Sequence, residues 1–168
     1  MRVTNKKLFL MVLIFVIPLA VASLLYKYHA FFNLKTTSHG ILLKTPLQVS
    51  YLYSQTEHPV QKQWRVIYIS EKMCDEKCQY INHQLQQVKK ALGKDTDRVS
   101  ELLMNTTDPQ VQKLKMDFKQ QGNQNFVVSH KIYLIDPIGN LFMYYPDDTN
   151  PMNVLKDLKR VLEVSQIG

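Results

Sequence analysis

Residues 8–26 read LFLMVLIFVIPLAVASLLY, an apolar run with no charge in it. A helix of that length, at about 1.5 Å per residue, nearly crosses a hydrocarbon core of about 30 Å. Arg2, Lys6 and Lys7 stand before the run, so the positive-inside bias keeps the N-terminus cytoplasmic and exports the rest of the chain. Pro18 is compatible with a membrane helix, where neighbouring groups satisfy the freed carbonyl. No charged residue interrupts any face, which argues against an amphipathic core helix. A cleaved signal peptide is the competing reading: residues 8–19 would be its apolar region, and Ala20-Val21-Ala22 fits the small-residue cleavage pattern. The run continues through Leu24, Leu25 and Tyr26 past that cut, which favours a retained anchor. On both readings the remainder is exported.

That remainder has room for one domain. The whole chain has 168 residues, and domains take roughly 100–200. Hydrophobic residues at 45% and charged residues at 21% indicate a globular chain rather than a disordered one. The net charge of +7 overstates how basic the domain is. Three of the 21 Lys and Arg precede the apolar run, so 18 face the 14 Asp and Glu in the rest. With no interleaving of basic and aromatic residues, a nucleic-acid partner is excluded.

Residues 27–40 show neither helical nor strand period and read as a juxtamembrane linker, with Phe31 and Phe32 as interfacial anchors. The domain is expected over residues 41–168. Residues 41–43 and 47–53 flank Pro46 and predict a short β-hairpin; residues 55–62 read as a polar loop. WRVIYI at 64–69 is the best candidate for a central strand. A helix beginning near Cys78 follows, with Cys78, Ile81, Leu85, Val88 and Leu92 on one stripe and Gly93 as its stop. Residues 99–104 read as a strand. Asp108-Pro109 then opens a helix with Val111, Leu114 and Phe118 inward, ended by Gly122. Residues 131–135 and 141–145 form a hairpin around Asp136-Pro137-Ile138-Gly139-Asn140. Asn150-Pro151 starts a last helix with Val154, Leu155, Leu158, Val161 and Leu162 on one face. This β-α-β-α-β-β-α order predicts an α/β fold, a mixed sheet with helices on both faces.

Two features carry chemistry. The first is Cys74-Asp75-Glu76-Lys77-Cys78, a CxxxC where a central strand gives way to a helix. Near a helix N-terminus the dipole and free N–H groups favour thiolates; Asp75 and Glu76 oppose this, while Lys72 and Lys77 offset them. Cys74 is expected to be the exposed sulfur and Cys78 the shielded one. A structural disulfide, a redox pair and a soft-metal site all remain open. A bridge over three intervening residues closes too short a loop to add much stability, which favours redox or metal work. The second feature is His130, just before the strand at 131–135, in a loop that returns beside the start of the CxxxC helix. Two thiolates and an imidazole suit copper, with sulfur favouring Cu(I) and nitrogen giving access to Cu(II). His83 lies off the inward stripe and reads as solvated; His29, His39 and His58 receive no role.

The stretch from Trp64 to Cys78, the segment Thr107-Asp108-Pro109, and the run from Ser129 to Asn140 resemble the SCO/SenC proteins over about residues 40–165. Ser38-His39-Gly40-Ile41-Leu42-Leu43, the CxxxC and the run from Ala91 to Val99 are similar to short single-pass proteins associated with bacterial cytochrome oxidase biogenesis. SCO proteins usually carry Pro after each cysteine, where Asp75 and Gln79 stand here, and an Asp before the histidine, where Ser129 stands. The resemblance implies a thioredoxin-like fold and a single-pass protein of the bacterial inner membrane with its domain in the periplasm. It also implies copper as the bound metal, with Cys74, Cys78 and His130 as ligands. A cytochrome c oxidase subunit or another copper-assembly factor would be the partner. Two alternatives stand beside copper delivery. One is a thiol–disulfide oxidoreductase in which Cys74 attacks and Cys78 resolves, keeping the oxidase's copper-ligand cysteines reduced. Thioredoxin-type enzymes carry a cis-proline where Ser129, His130 and Lys131 stand here, which weighs against it. The other is a non-catalytic assembly scaffold.

Overall fold

The uncharged run forms one helix, α1 (Arg2–Tyr28), with Pro18 inside it. Its segment Lys6–Lys27 is long and apolar enough to cross a membrane, and none of it is buried. The computed structural model describes residues 2–28, 38–53, 63–71 and 73–165. Helix α1 belongs to one compact unit, Met1–Thr37, and everything below to a second, Ser38–Gly168. His29, Phe31, Phe32, the loop at 55–62 and Lys72 lie outside the described residues.

The second unit is built on a five-stranded sheet of β1 (Ile41–Gln48), β2 (Trp64–Ser70), β3 (Val99–Asn105), β4 (Lys131–Ile135) and β5 (Asn140–Pro146), in the order β1-β5-β4-β2-β3. β2 runs parallel to β3, and the other neighbouring pairs are antiparallel. A parallel pair needs a crossover, supplied by α2 (Glu76–Lys90) and a 3-10 turn, Gly93–Arg98. The remaining helices are α3 (Pro109–Gln120) and α4 (Pro151–Val164).

Strand alternation sorts the core into two layers. Val66 and Tyr68 of β2, Ile132 and Leu134 of β4, and Met143 and Tyr145 of β5 pack against α2 and α4. Ile67 and Ile69, Tyr133 and Ile135, and Leu141 pack with Val111, Leu114 and Phe118 of α3. Helices thus cover both faces. A register shift between Leu134 and Ile135 explains why Leu141 joins one layer while Met143 and Tyr145 join the other. The predicted stripe Cys78, Ile81, Leu85, Val88 and Leu92 is buried throughout.

The N-terminal hairpin is not formed. Residues 41–48 make one edge strand paired with β5, followed by a 3-10 turn, Ser50–Tyr53. Leu42 pairs with Met143 and Leu47 with Leu141, so the register shifts between them. Pro46 sits inside that irregular stretch. On an edge strand at a register break its missing N–H costs no ladder hydrogen bond, so the proline does not need to form a turn.

The second unit begins at Ser38, within the stretch that reads as linker, because a buried carboxylate takes hold of the chain there. Asp157 of α4 is 3% exposed. Its Oδ2 accepts the backbone N–H groups of His39 at 2.8 Å and Gly40 at 3.0 Å, and Tyr145 donates its hydroxyl to the same atom at 3.0 Å. His39 Nδ1 lies 3.1 Å from Oδ1. A Cβ on Gly40 would collide with Met143 Sδ and lie 2.6 Å from Tyr145 Cε1, so only glycine comes this close. Burial alone would raise the Asp157 carboxyl. The hydrogen bonds from His39, Gly40 and Tyr145 outweigh it and hold the group below its ordinary value.

A carboxyl held low stabilises the fold above its unfolded value near 4 and loses that contribution as pH falls through the folded value. Asp157→Asn is therefore expected to destabilise the protein by about 2 kcal/mol at neutral pH, the scale of charged hydrogen bonds. In denaturant titrations the gap from wild type should close as the pH drops below about 4 and on through the folded value.

Candidate functional site

The chemistry lies at the C-terminal end of β2. The chain leaves the strand through Ser70, whose hydroxyl donates to the Met104 carbonyl at 3.2 Å, and the Thr106 N–H returns to the carbonyls of Ser70 and Glu71. Cys74 and Cys78 follow, joined in a disulfide with Cα atoms 5.1 Å apart. Cys74 is exposed and Cys78 is 1% exposed, the asymmetry expected from the helical stripe. Asp75 lies between them as the N-cap of α2 and accepts the Cys78 N–H on Oδ1 at 2.8 Å. In the sequence Asp75 counts only as a charge, although its place three residues before an inward-facing helix position is a legible capping signal.

His130 is delivered to the same end of the sheet by strand pairing. Lys131 opposes Ile69 in the β2–β4 ladder, and the His130 N–H donates to the Ile69 carbonyl at 2.7 Å. With φ of 56°, His130 is the single non-glycine residue at positive φ among the described residues. Such a conformation costs free energy and gathers at functional positions. Its ring lies between two carboxylates, Nε2 at 3.4 Å from Glu71 Oε1 and Nδ1 at 3.4 Å from Asp147 Oδ2.

Asp147, just beyond β5, also takes Lys77 Nζ at 2.8 Å. It thereby links the first turn of α2 to the imidazole. That hydrogen bond raises the Lys77 ammonium above its ordinary value. Burial pushes the Tyr68 phenol up to about 12, helped by the negative charges of Asp147 and Asp75. Burial lowers the Lys131 ammonium, and Asp147 opposes the shift. A cleft of about 530 Å³ opens alongside, with Lys77, Tyr80, Asp147 and Asp148 in its wall. Asp147 and Glu71 carry no sequence signal, since both stand in irregular segments and act through residues distant in the chain.

The structure therefore brings Cys74 and Cys78 together and sets His130 at the same strand end. It does not gather the three into one donor set: among the described residues no group of three or more His, Cys, Asp or Glu could hold a metal ion. The two sulfurs are bonded to each other, and the imidazole faces carboxylates. As donor types, two thiolates and an imidazole fit copper, once the disulfide is reduced and the ring leaves one acid. His83 is exposed, and its Nε2 lies 3.4 Å from Gln87 Nε2.

The cap offers a direct test. Asp75→Ala should cost about 1 kcal/mol in chemical denaturation, and Asp75→Asn, which keeps an acceptor oxygen, should recover most of it.

The sequence profile of the family described as transmembrane-like, thioredoxin-like, C-terminal domain matches residues 64–165. Among solved structures, the chain is similar to a SCO1/SenC family lipoprotein from Bacillus anthracis str. Ames, at 13% identity over 61% of this chain and 83% of that one, with a TM-score of 0.41. It is also similar to BsSco, described as a member of the Sco family of cytochrome c oxidase assembly proteins with a disulfide switch, at 13% identity over 63% and 84% of the two chains, with a TM-score of 0.42. No curated protein matches. The profile covers the central strand, the CxxxC helix, the His130 loop and α4, and on that match the chain belongs to the transmembrane-like, thioredoxin-like C-terminal domain family.

Proposed function

We propose that this chain is a membrane-anchored periplasmic copper-binding assembly factor for cytochrome c oxidase. Residues 1–26 form a cytoplasmic tip and an anchor in the bacterial inner membrane, and a linker leads from residue 27 to the working domain, whose folded unit begins at Ser38. Copper is cargo, held by Cys74, Cys78 and His130 and passed by ligand exchange to an oxidase subunit or another copper-assembly factor. The observation that carries this reading is His130: a strained histidine held at the end of the strand that leads into the CxxxC. Loading requires two changes. The disulfide takes two electrons and two protons from a reducing dithiol, and the imidazole gives up one of its carboxylate neighbours. Bound sulfur favours Cu(I), and the nitrogen donor opens Cu(II).

A second reading, a thiol–disulfide oxidoreductase that keeps the copper-ligand cysteines of the oxidase reduced, draws support from the disulfide with one exposed and one buried sulfur. In that role, once a dithiol has reduced the pair, the Cys74 thiolate attacks the client's disulfide, Cys74 carries the mixed disulfide, and Cys78 resolves it by closing the Cys74–Cys78 bond and releasing the client's second thiol.

Copper stoichiometry of the full-length chain in detergent separates the two. The reduced chain should take up about one copper and the oxidised chain none. Cys74→Ser and Cys78→Ser should abolish binding, and His130→Ala should weaken Cu(II) far more than Cu(I). A reduced chain that binds no copper yet reduces a model disulfide, with that activity lost in Cys74→Ser, would establish the second reading instead.

A further inference from the structure

Met73 stands immediately before Cys74 and is 86% exposed, the highest value for a large hydrophobic side chain in the second unit among the described residues. Met104 and Met143, at 5% and 3% exposed, serve the core, while Met116 and Met152 of the outer helices are 56% and 52% exposed; of these exposed methionines, Met73 is the one adjacent to a cysteine in the chain. Holding a thioether in water forgoes the free energy of burying it, and this one stands next to the exposed sulfur of the CxxxC.

We propose that Met73 Sδ is a third donor for Cu(I), forming with Cys74 and Cys78 an all-sulfur site that is distinct from the nitrogen-containing set needed for Cu(II). The inference rests on the copper reading above and deepens it. A thioether is a soft, neutral donor that selects Cu(I) and does not titrate. Its unbranched side chain has three rotatable bonds with which to reach an ion at the neighbouring sulfur. His130 is less accessible to an arriving Cu(I), because both of its ring nitrogens face carboxylates at 3.4 Å. Met73, out in solvent, breaks no packing to bind.

The step balances without further reagents once a dithiol has reduced Cys74–Cys78 and closed its own disulfide. Cu(I) replaces the two thiol protons, which pass to solvent, and accepts a lone pair from Met73 Sδ; copper stays at +1 throughout. When Cu(II) is loaded instead, the preference moves to nitrogen, and His130 takes the third position.

The test uses the full-length chain in detergent, reduced anaerobically, freed of the dithiol and titrated with Cu(I) against a chromogenic Cu(I) chelator. Met73→Leu, an exposed and volume-conserving change, should lower Cu(I) affinity at least about tenfold, the loss that removing even an indirect supporting group causes at metal sites. Its Cu(II) affinity should stay at the wild-type value, and His130→Ala should show the reverse pattern. X-ray absorption on the Cu(I) form should give three sulfur neighbours in wild type and fewer in Met73→Leu. Copper-loaded wild type together with a Met73→Leu variant of equal Cu(I) affinity and equal sulfur count would overturn this inference alone. A reduced wild-type chain that takes up no Cu(I) would overturn it together with the copper reading.

Discussion

Strand β2 is buried along its whole length, all seven residues of it, with β3 bonded on one side and β4 on the other. Burial on both faces and pairing on both edges leave this strand no freedom of register. Its C-terminal end is therefore the most firmly located point in the second unit. The disulfide loop leaves from that end, and His130 is bonded back to it through Ile69. Chemistry assembled from three separate stretches of chain needs one fixed reference, and β2 supplies it. The parallel neighbour adds a second constraint, since its crossover must begin with a helix close to where β2 stops, and that helix carries Cys78 in its first turn.

Much of this is legible in the sequence because it rests on local periodicity. The stripe from Cys78 to Leu92 follows a helical repeat, Asp108-Pro109 and Asn150-Pro151 mark helix starts, and Asp136 to Asn140 is turn chemistry in which the Asp136 carboxylate accepts the N–H groups of Ile138 and Asn140. Where the pattern misleads, the deciding partner is remote. Pro46 resembles a turn until β5, about a hundred residues later, makes it an edge position. Asp157 interrupts an apolar face that otherwise reads as core, and the N–H groups of His39 and Gly40, with the Tyr145 hydroxyl, explain it. His39 shows no role in the sequence for the same reason. Asp108 shows the limit from the other side: it occupies the cap position of α3, yet its carboxylate accepts the Asn105 N–H rather than one from the helix.

The electrostatics of the site follow from strand ends meeting. Glu71 leaves β2, Asp147 leaves β5, and the His130 imidazole falls between them. Lys77 contributes the opposing charge from the helix, and with Asp147 it spans the gap between the cysteine-bearing turn and the histidine-bearing loop. Asp75 acts differently, by satisfying one of the unpaired N–H groups at the start of α2, the one belonging to Cys78. The cap and the buried sulfur are thereby fixed together, leaving Cys74 as the partner with freedom to move when the bridge opens.

The grip of Asp157 on the backbone at His39 and Gly40 has a mechanical side. Tension reaching the folded unit along the main chain at Ser38 meets hydrogen bonds anchored in α4 before it meets the ladder of β1. An edge strand pulled from its terminus unzips one rung at a time, whereas several bonds converging on one carboxylate share the load and yield together. The outermost strand is thus shielded from being peeled off the sheet by whatever tugs on the tether.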